Sequence, residues 1–369
     1  MDALQTLRGI ARDPARVANE WRAKGGGVLG YRCQYVPEEV IWAAGMLPYP
    51  LYGTPEPVGA ADSYFQSCTC EFVRNVFDRV LAGEAQFLDG MALANTCDIT
   101  RRLYDNWGAY VDKVPVYLLN NPQKLLTPGN RDYYLEEMRR FRGWVEEIAH
   151  ATVTDEKLRA AIVQHNDTRH LLHELYALRE RDEPPLSGAE ALDVCTAATV
   201  LPRDRANSLL RQLLDELPRA SRPSSGPRLM VTGSVIDHPA LLELVEEQGA
   251  TVVVEDLCNT TRAFWQTVPD DADPLLALYR HHNERALCAC MHPVGARLEH
   301  VLSLAQRYRV EGVINFTLKY CHPFLYEAPL LRKALEERGI PTMTLEVGHD
   351  LSGHGQLRTR VQAFLEMLE

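Results

Sequence analysis

Cysteines are the residues of this 369-residue chain most able to do chemistry, and there are nine of them. They stand at positions 33, 68, 70, 97, 195, 258, 288, 290 and 321. A single residue separates Cys288 from Cys290, a spacing at which two thiols cannot comfortably form a disulfide with each other. In a strand these side chains would point to opposite faces, whereas on a loop at a strand end both could turn toward one ion or cluster. The positions of the other cysteines therefore bear on the role of this pair.

Composition and charge limit the classes of function that the chain can have. Its net charge of −11 argues against a nucleic acid or an anionic membrane as the main partner. The amphipathic N-terminal stretch has no apolar signal core, and no later run approaches 18 apolar residues, so we expect a cytoplasmic protein. A disulfide framework would be unusual in that compartment. Each cysteine is then a small buried apolar side chain, as we expect for Cys195 in DVCTAATV, or a ligand.

Residues 1–130 alternate between strand patterns and helix patterns. GGVLGYRCQYVP, MLPYPLYG, FLDGMALANTC and VPVYLLNNP are apolar runs that predict strands. Between them, PEEVIWAAG, EFVRNVFDRVLAG and DITRRLYDNWGAY predict helices, the first of them beginning at Pro37 and ending at Gly45. This alternation predicts a parallel sheet covered by helices.

A helical segment and a second alternating unit follow. Residues 131–220 place apolar side chains at helical spacing, with a break at PPLSG, and SRPSSGP at 221–227 predicts a linker. In residues 221–369, helical patterns separate the predicted strands RLMVTGS, ATVVVEDLC, RALCAC, VEGVINFTLKYC and IPTMTLEV. The expected fold class is therefore α/β, with two Rossmann-like doubly wound parallel-sheet domains joined by a helical segment. LDGMALANTCD and VEGVINFTLKYCH share an acidic–glycine turn, an apolar run and a terminal cysteine, which suggests two related halves.

Most of the cysteines follow predicted strands. Five stand at carboxyl ends of strands, where open parallel sheets bind their ligands: Cys97, Cys258, Cys288, Cys290 and Cys321. Cys70 precedes a predicted helix, whose amino terminus favours a thiolate. Thiolates select zinc, copper(I) or iron–sulfur clusters. The compact CxxC pairs of structural zinc sites are missing from the sequence, and ligands drawn from distant strand ends can enclose a larger object. The pattern therefore favours an iron–sulfur cluster held by these six cysteines.

Other motifs give weaker signals. The sequence contains no P-loop, GxGxxG, GxSxG or HExxH pattern. His281 and His282 lie in a charged helical pattern and are predicted to be on the surface. Further candidates for the site, with a polar turn or a solvent-facing position as the alternative, are His322, His349, His354, Glu71, Arg74, Lys319 and Tyr320.

Over nearly its whole length the chain resembles the family of 2-hydroxyacyl-CoA dehydratases, benzoyl-CoA reductases and double-cubane-cluster reductases. The resemblance rests on GYRCQYVPEEVIWAAGMLPYPLYG, FQSCTCEFVRNVFD, DGMALANTCDITRRLYDNW and VEGVINFTLKYCHPFLYEAPLLRKALEERGIPTMTLE. It implies a [4Fe-4S] cluster held by Cys70, Cys97 and Cys321, with Cys68 as an alternative to Cys70. It also implies that a separate ATP-dependent activator, carrying its own iron–sulfur cluster, supplies the electrons.

The resemblance leaves more than one branch of the family open. Cys258, Cys288 and Cys290 resemble the second trio that, in the double-cubane branch, holds a second cubane joined to the first. That branch, which we favour, implies reduction of a small molecule at very low potential. The alternative is one subunit of a dehydratase or benzoyl-CoA reductase, in which an electron passes to an acyl-CoA thioester. A homodimer and a heterodimer with a related subunit are both compatible with the sequence, and a scaffold that has lost the cluster is a third reading.

Overall fold

The computed structural model describes residues 2–217, 226–284, 288–351 and 354–368, except for the side chain of His354. Two four-stranded sheets organise the described chain, and every pair of neighbouring strands is parallel. The strands read as nearly continuous apolar runs because helices cover the sheets and leave little strand surface to solvent. The predicted fold class is thus confirmed.

The amino-terminal sheet has the order β2-β1-β3-β4. Its strands are β1 (Val28–Arg32), β2 (Leu47–Pro50), β3 (Gly90–Ala94) and β4 (Val116–Leu119). Its helices are α1 (Ala3–Arg12), α2 (Pro14–Ala23), α3 (Glu38–Ala43), α4 (Glu71–Leu81) and α5 (Asp98–Tyr110). The N-terminal amphipathic stretch forms two helices, because Pro14 suits the first turn of a helix and starts a second one.

Four helices follow the first sheet, in the region that the sequence assigned to a helical segment. They are α6 (Asn130–Ala149), α7 (Asp155–Leu178), α8 (Gly188–Val200) and α9 (Arg203–Glu216). A capping box formed by Ser187 and Glu190 starts α8 at the predicted break. Almost all of α8 is buried, since it packs against β2 on one side and against the carboxy-terminal sheet on the other.

The carboxy-terminal sheet has the order β6-β5-β7-β8, the same order as the first. Its strands are β5 (Arg228–Gly233), β6 (Thr251–Asp256), β7 (Gly312–Leu318) and β8 (Thr342–Val347). Its helices are α10 (Ala240–Glu247), α11 (Thr261–Phe264), α12 (Pro274–Asn283), α13 (Gly295–Arg307), α14 (His322–Glu336) and α15 (His354–Glu366). The two strands whose sequences echo each other, β3 and β7, occupy the same third position in their sheets.

The prediction that RALCAC forms a strand is wrong for those of its residues that the structure describes. Residues 285–287 lie outside the described residues, and residues 288–290 form a turn. The Met291 amide donates to the Cys288 carbonyl oxygen, and the His292 amide donates to the carbonyl oxygen of Gln123. The segment after this turn therefore pairs with the amino-terminal half instead of adding a fifth strand to the second sheet. Of the predicted linker, residues 221–225 lie outside the description.

The two halves share a hydrophobic core. One cluster of buried side chains includes Val28 and Leu93 from the first sheet together with Val252 and Leu345 from the second. Each such side chain, fully buried, contributes roughly 1.5–3 kcal/mol. The described helices include none with the length and apolar character needed to cross a membrane.

Candidate functional site

A cavity of about 600 Å³ lies at the carboxyl ends of both sheets. In each sheet the chain adds its second strand on one side of the first strand and its third strand on the other side. The strand order therefore reverses between β1 and β3 and between β5 and β7. Ligands of doubly wound sheets bind at such switch points. Residues that directly follow β1, β3, β5 and β7 line the cavity, so it lies where both sheets offer a ligand site.

Seven of the nine cysteines line this cavity: Cys33, Cys70, Cys97, Cys258, Cys288, Cys290 and Cys321. The set includes all six cysteines selected from the sequence. All nine cysteines of the chain are free thiols. Residues from both ends of the sequence thus meet around one space.

Three of the lining cysteines stand at helix amino termini. Cys70, Cys97 and Cys321 are the N-cap residues of α4, α5 and α14. Backbone N–H groups at this end of a helix have no intrahelical partner, so they attract negative charge. The Phe72 amide donates to the Cys70 sulfur in this way.

Hydrogen bonds link Cys70 to Cys321 and Cys288 to Cys290. The bond from Cys321 lowers the pKa of Cys70, against the effect of burial, and the Arg32 guanidinium acts in the same direction. The bond from Cys290, again opposed by burial and assisted by Arg262, lowers the pKa of Cys288 to about 7. One thiol of each pair is therefore prepared to become a thiolate, the form that binds metal.

Cys258 and Cys97 each interact with a member of both pairs. Cys258 interacts electrostatically with Cys288 and with Cys321, and its sulfur accepts a hydrogen bond from Arg262 Nη2 at 3.4 Å. Burial nevertheless raises the pKa of Cys258. Cys97 lies near enough to Cys70 and to Cys290 to raise the pKa of both. The two predicted trios are thus adjacent parts of one group of thiols.

Two arginines supply positive charge beside the sulfurs. Arg262 is fully buried and also donates to the Gly233 carbonyl oxygen at 2.6 Å. The Arg32 guanidinium lies 4.1 Å from the centre of the Phe72 ring, and its buried Nε has no hydrogen-bond partner among the described residues. Buried cations stabilise thiolates and any anionic group that the thiolates hold. Soft sulfur ligands, two strand-end crevices and buried cations fit an iron–sulfur cluster.

Cys33 is a lining residue that the sequence analysis left out. It follows β1 directly and has a φ of 86°. Burial raises its pKa to about 12, and the neighbouring Cys288 and Cys258 act in the same direction. The available signal was its position after an apolar strand, the same signal that identified Cys97.

Cys68 and Cys195 lie outside the cavity. Cys68 is exposed and donates to Gln66 Oε1 at 3.8 Å, so Cys70 is the member of the CTC motif that faces the other thiols. Cys195 is buried in α8, 3.6 Å from the Tyr176 hydroxyl, as the sequence predicts.

The predicted surface position of His281 and His282 is wrong. Both are buried, with 3% and 2% of their surface exposed, and both line the cavity. The charged residues that made the pattern look solvent-facing, Arg280 and Glu284, lie on the exposed side of α12. The histidines occupy the opposite side because α12 packs against α6 and α7.

The remaining sequence candidates divide into two groups. His322 and Tyr320 line the cavity, the latter with a φ of 63°. The others lie outside its wall: Lys319 is exposed, Arg74 pairs with Asp62, and Glu71 accepts a hydrogen bond from the His349 amide. The side chain of His354 is outside the described residues.

Part of the cavity wall is polar, and the sequence analysis did not identify it. Glu39 is 1% exposed, and Arg169 Nη2 donates to its Oε1 at 2.5 Å. Burial alone would raise the pKa of Glu39, but the charges of Arg169, His165 and His282, with the hydrogen bond from Arg169, together outweigh burial and the pKa falls to about 2. Next to it, the Tyr31 hydroxyl donates to Glu38 Oε2 at 3.1 Å. Glu39 is thus a fixed anion, whereas Tyr31 remains protonated and can donate a hydrogen bond.

Asp237, His238 and His349 form a separate cluster near the cavity. Their potential ligand atoms lie within 4.8 Å of one another. Asp237 already accepts hydrogen bonds from the Gly53 amide at 2.7 Å and from His349 Nε2 at 3.0 Å. We therefore interpret the cluster as a hydrogen-bonded contact between the two halves of the chain.

Comparisons with known proteins identify the family to which the chain is related. Residues 33–368 match the family model described as 2-hydroxyglutaryl-CoA dehydratase, D-component. The (R)-phenyllactyl-CoA dehydratase beta subunit of Clostridium sporogenes is 25% identical, with 98% of this chain and 97% of the relative aligned. The (R)-2-hydroxyglutaryl-CoA dehydratase subunit beta of Acidaminococcus fermentans is 26% identical over 99% of this chain and 98% of its own. One subunit of the benzoyl-CoA reductase of Thauera aromatica is 25% identical over 93% of this chain and 91% of its own.

Proposed function

Because the chain belongs to the 2-hydroxyglutaryl-CoA dehydratase D-component family, we propose that it is the cluster-bearing component of a low-potential iron–sulfur reductase or dehydratase. The observation that carries the proposal is the convergence of seven free cysteines on one cavity at the carboxyl ends of both sheets. An iron–sulfur cluster bound there supplies one-electron transfer at low potential. The chain's own residues supply ligation, charge and exclusion of water.

The ligands divide into two trios. Cys70, Cys97 and Cys321 hold the first [4Fe-4S] cluster. Cys258, Cys288 and Cys290 hold a second, linked cubane. The hydrogen bonds within the pairs 70–321 and 288–290 support this division, because each joins members of one trio. The double-cubane-cluster reductase of small molecules is the form that we favour, because Cys258, Cys288 and Cys290 supply a second set of three ligands at the same cavity.

Hydroxyl groups and arginines around the sulfurs adjust their electron density. The Thr100 hydroxyl lies 3.2 Å from Cys97 Sγ, and Ser234 makes a side-chain hydrogen bond to Cys321. Hydrogen bonds to ligating sulfur and nearby positive charge raise the reduction potential of a cluster. Arg262, held by the backbone and by Cys258, would have the largest effect because it is fully buried.

A second candidate function follows from the relatives. The compared proteins are named as subunits of enzymes for phenyllactyl-CoA, 2-hydroxyglutaryl-CoA and benzoyl-CoA. In this reading the chain is one subunit of an acyl-CoA dehydratase or reductase with a single cubane on Cys70, Cys97 and Cys321. In either form we propose that electrons come from a separate ATP-dependent activator with its own iron–sulfur cluster. The chain then works as a homodimer or with a related subunit.

Iron and acid-labile sulfide per chain, measured on protein purified without oxygen, test the proposal. Two cubanes predict about eight irons and one cubane predicts about four. Cys258→Ser should then lower the iron content by about half, whereas Cys195→Ser, a change of a buried thiol outside the cavity, should leave it unchanged.

Two other outcomes decide between the alternatives. About four irons in both the parent and Cys258→Ser would refute the second cubane and leave the acyl-CoA form. A folded protein without iron would refute both forms.

A further inference from the structure

A second recess, of about 500 Å³, opens beside the cysteine cavity. The segments that follow β3 and β4 and the start of α6 form its wall. Arg101 and Gln123 line both spaces, so the two are neighbours with a shared wall. Gln123 is held in place by donating from Nε2 to the Thr96 carbonyl oxygen at 2.6 Å.

Buried amide atoms that lack hydrogen-bond partners belong to residues lining this recess. Asn121 is 5% exposed, and within the described part of the chain neither its Nδ2 nor its Oδ1 has a hydrogen-bond partner. Asn130 is 7% exposed and donates from Nδ2 to the Lys124 carbonyl oxygen at 2.9 Å. Its Oδ1 lacks a partner among the same residues. Native proteins rarely leave buried polar atoms unpaired, so these amide atoms are available to hydrogen-bond a polar ligand in the recess.

The charged side chains that line the recess are positive. Arg101 and Lys124 line it, and no carboxylate does so among the residues that the structure describes. The ion pair of Arg101 with Asp98 is long, at 3.6 Å, and both side chains are at least half exposed, so it leaves the guanidinium available. The 20-residue α6 begins at Asn130 after Gly129 at a φ of 80°, and its amino terminus adds backbone N–H donors. The recess thus offers cations, an amide donor and the N–H groups at the start of a helix, which are groups that bind phosphate.

We propose that this recess binds the phosphate groups of an acyl-coenzyme A thioester whose acyl end enters the cysteine cavity. The inference rests on the acyl-CoA form of the proposed function. Coenzyme A carries its anionic phosphates at one end and its thiol at the other, which matches a positive recess that shares a wall with a reaction cavity. Tyr133, 53% exposed on the recess, offers a face on which the adenine ring can stack.

Calorimetric titration with free coenzyme A tests the assignment on full-length protein purified without oxygen, with iron measured in every sample. Arg101→Gln/Lys124→Gln should weaken coenzyme A binding at least tenfold. The control Arg139→Gln/Arg140→Gln removes the same charge from the exposed surface of α6 and should change affinity less than twofold. Because Arg101 also lines the cysteine cavity, Lys124→Gln alone is measured too and should weaken binding at least threefold at unchanged iron content.

The choice of probe distinguishes the sources of phosphate. Pantetheine, which lacks the phosphates, should bind at least tenfold more weakly than coenzyme A and should not respond to the double substitution. Inorganic phosphate binding as tightly as coenzyme A would overturn the coenzyme A assignment. If the recess variant and the control variant bind coenzyme A equally well, or if iron-loaded protein does not bind it, the assignment of the site is overturned. If folded protein without iron binds coenzyme A more tightly than pantetheine, the recess remains a phosphate site and the proposed redox function is refuted.

Discussion

Replacing Asp237 with asparagine tests the contact that joins the two halves of the chain near the cavity. The Asp237 side chain is 1% exposed and accepts hydrogen bonds from the Gly53 amide and from His349 Nε2. Burial alone would raise its pKa. The charge and hydrogen bond of His349, with His238 and the Gly53 amide, outweigh burial and lower the pKa from 3.8 to about 2.

The magnitude follows from this lowered pKa. One pKa unit corresponds to about 1.4 kcal/mol, so the ionised carboxylate contributes about 2 kcal/mol to the free energy of unfolding at neutral pH. Because the folded pKa is depressed, this contribution is present above the unfolded value of 3.8 and is lost as the pH falls through about 2. Asp237→Asn should therefore lose about 2 kcal/mol at pH 7 and progressively less below pH 4.

The assay is urea unfolding of parent and variant at matched iron content, at pH 7 and at pH 3.5, followed by circular dichroism and tryptophan fluorescence. Agreement of the two probes is required, because a chain with two sheets and a cofactor need not unfold in one step. The control is Asp182→Asn, whose side chain is 88% exposed in a surface pair with Arg309 and should change stability by less than about 1 kcal/mol. An unchanged stability of Asp237→Asn at pH 7, or a larger loss at pH 3.5 than at pH 7, would refute the reasoning.

Three further predictions concern residues away from this contact. Arg179→Met should lower the free energy of unfolding by about 3–5 kcal/mol in urea denaturation, because it leaves the fully buried Glu255 carboxylate without its ion pair; a loss below 1 kcal/mol would contradict this. Gly233→Ala should abolish soluble, folded protein, since Gly233 has a φ of 130° and a Cβ there would overlap a carbonyl oxygen of β7; a normal yield and circular dichroism spectrum would refute it. Cys68→Ser should retain the parent's iron content whereas Cys70→Ser should lower it, and equal losses would contradict the outward position of Cys68.

The sequence predicted the convergence of the cysteines because, in a parallel sheet, knowing that a residue follows a strand is enough to place it. Once the apolar runs are taken as parallel strands, their carboxyl ends must meet at one edge, and a cysteine after each run must lie there. Cys97, Cys258 and Cys321 were found in this way and do line the cavity. Cys33 satisfied the same rule but was overlooked.

The rest of the site depends on packing that a single sequence does not specify. The charged neighbours of His281 and His282 predict a solvent-facing helix, but the contacts of α12 with α6 and α7 decide which of its faces is buried. The alternating pattern of RALCAC fits a strand as well as a turn, and the hydrogen bond from His292 to Gln123, a long-range contact, holds the chain just after the turn. Arg169 reaches Glu39 from a helix about 130 residues away, for which no local signal exists.

The distribution of the cavity's cysteines along the chain affects the order in which the protein can be made. Cys33 is the first of them to leave the ribosome and Cys321 is the last, after the start of α14 has been decoded. At 5–20 residues per second, that separation takes roughly 15–60 s. During this interval the early thiols of a nascent chain have no partners from the second sheet and are open to oxidation or to stray metal. Synthesis of this protein therefore requires reducing surroundings, or a chaperone that covers the first half, until the last strands have been made.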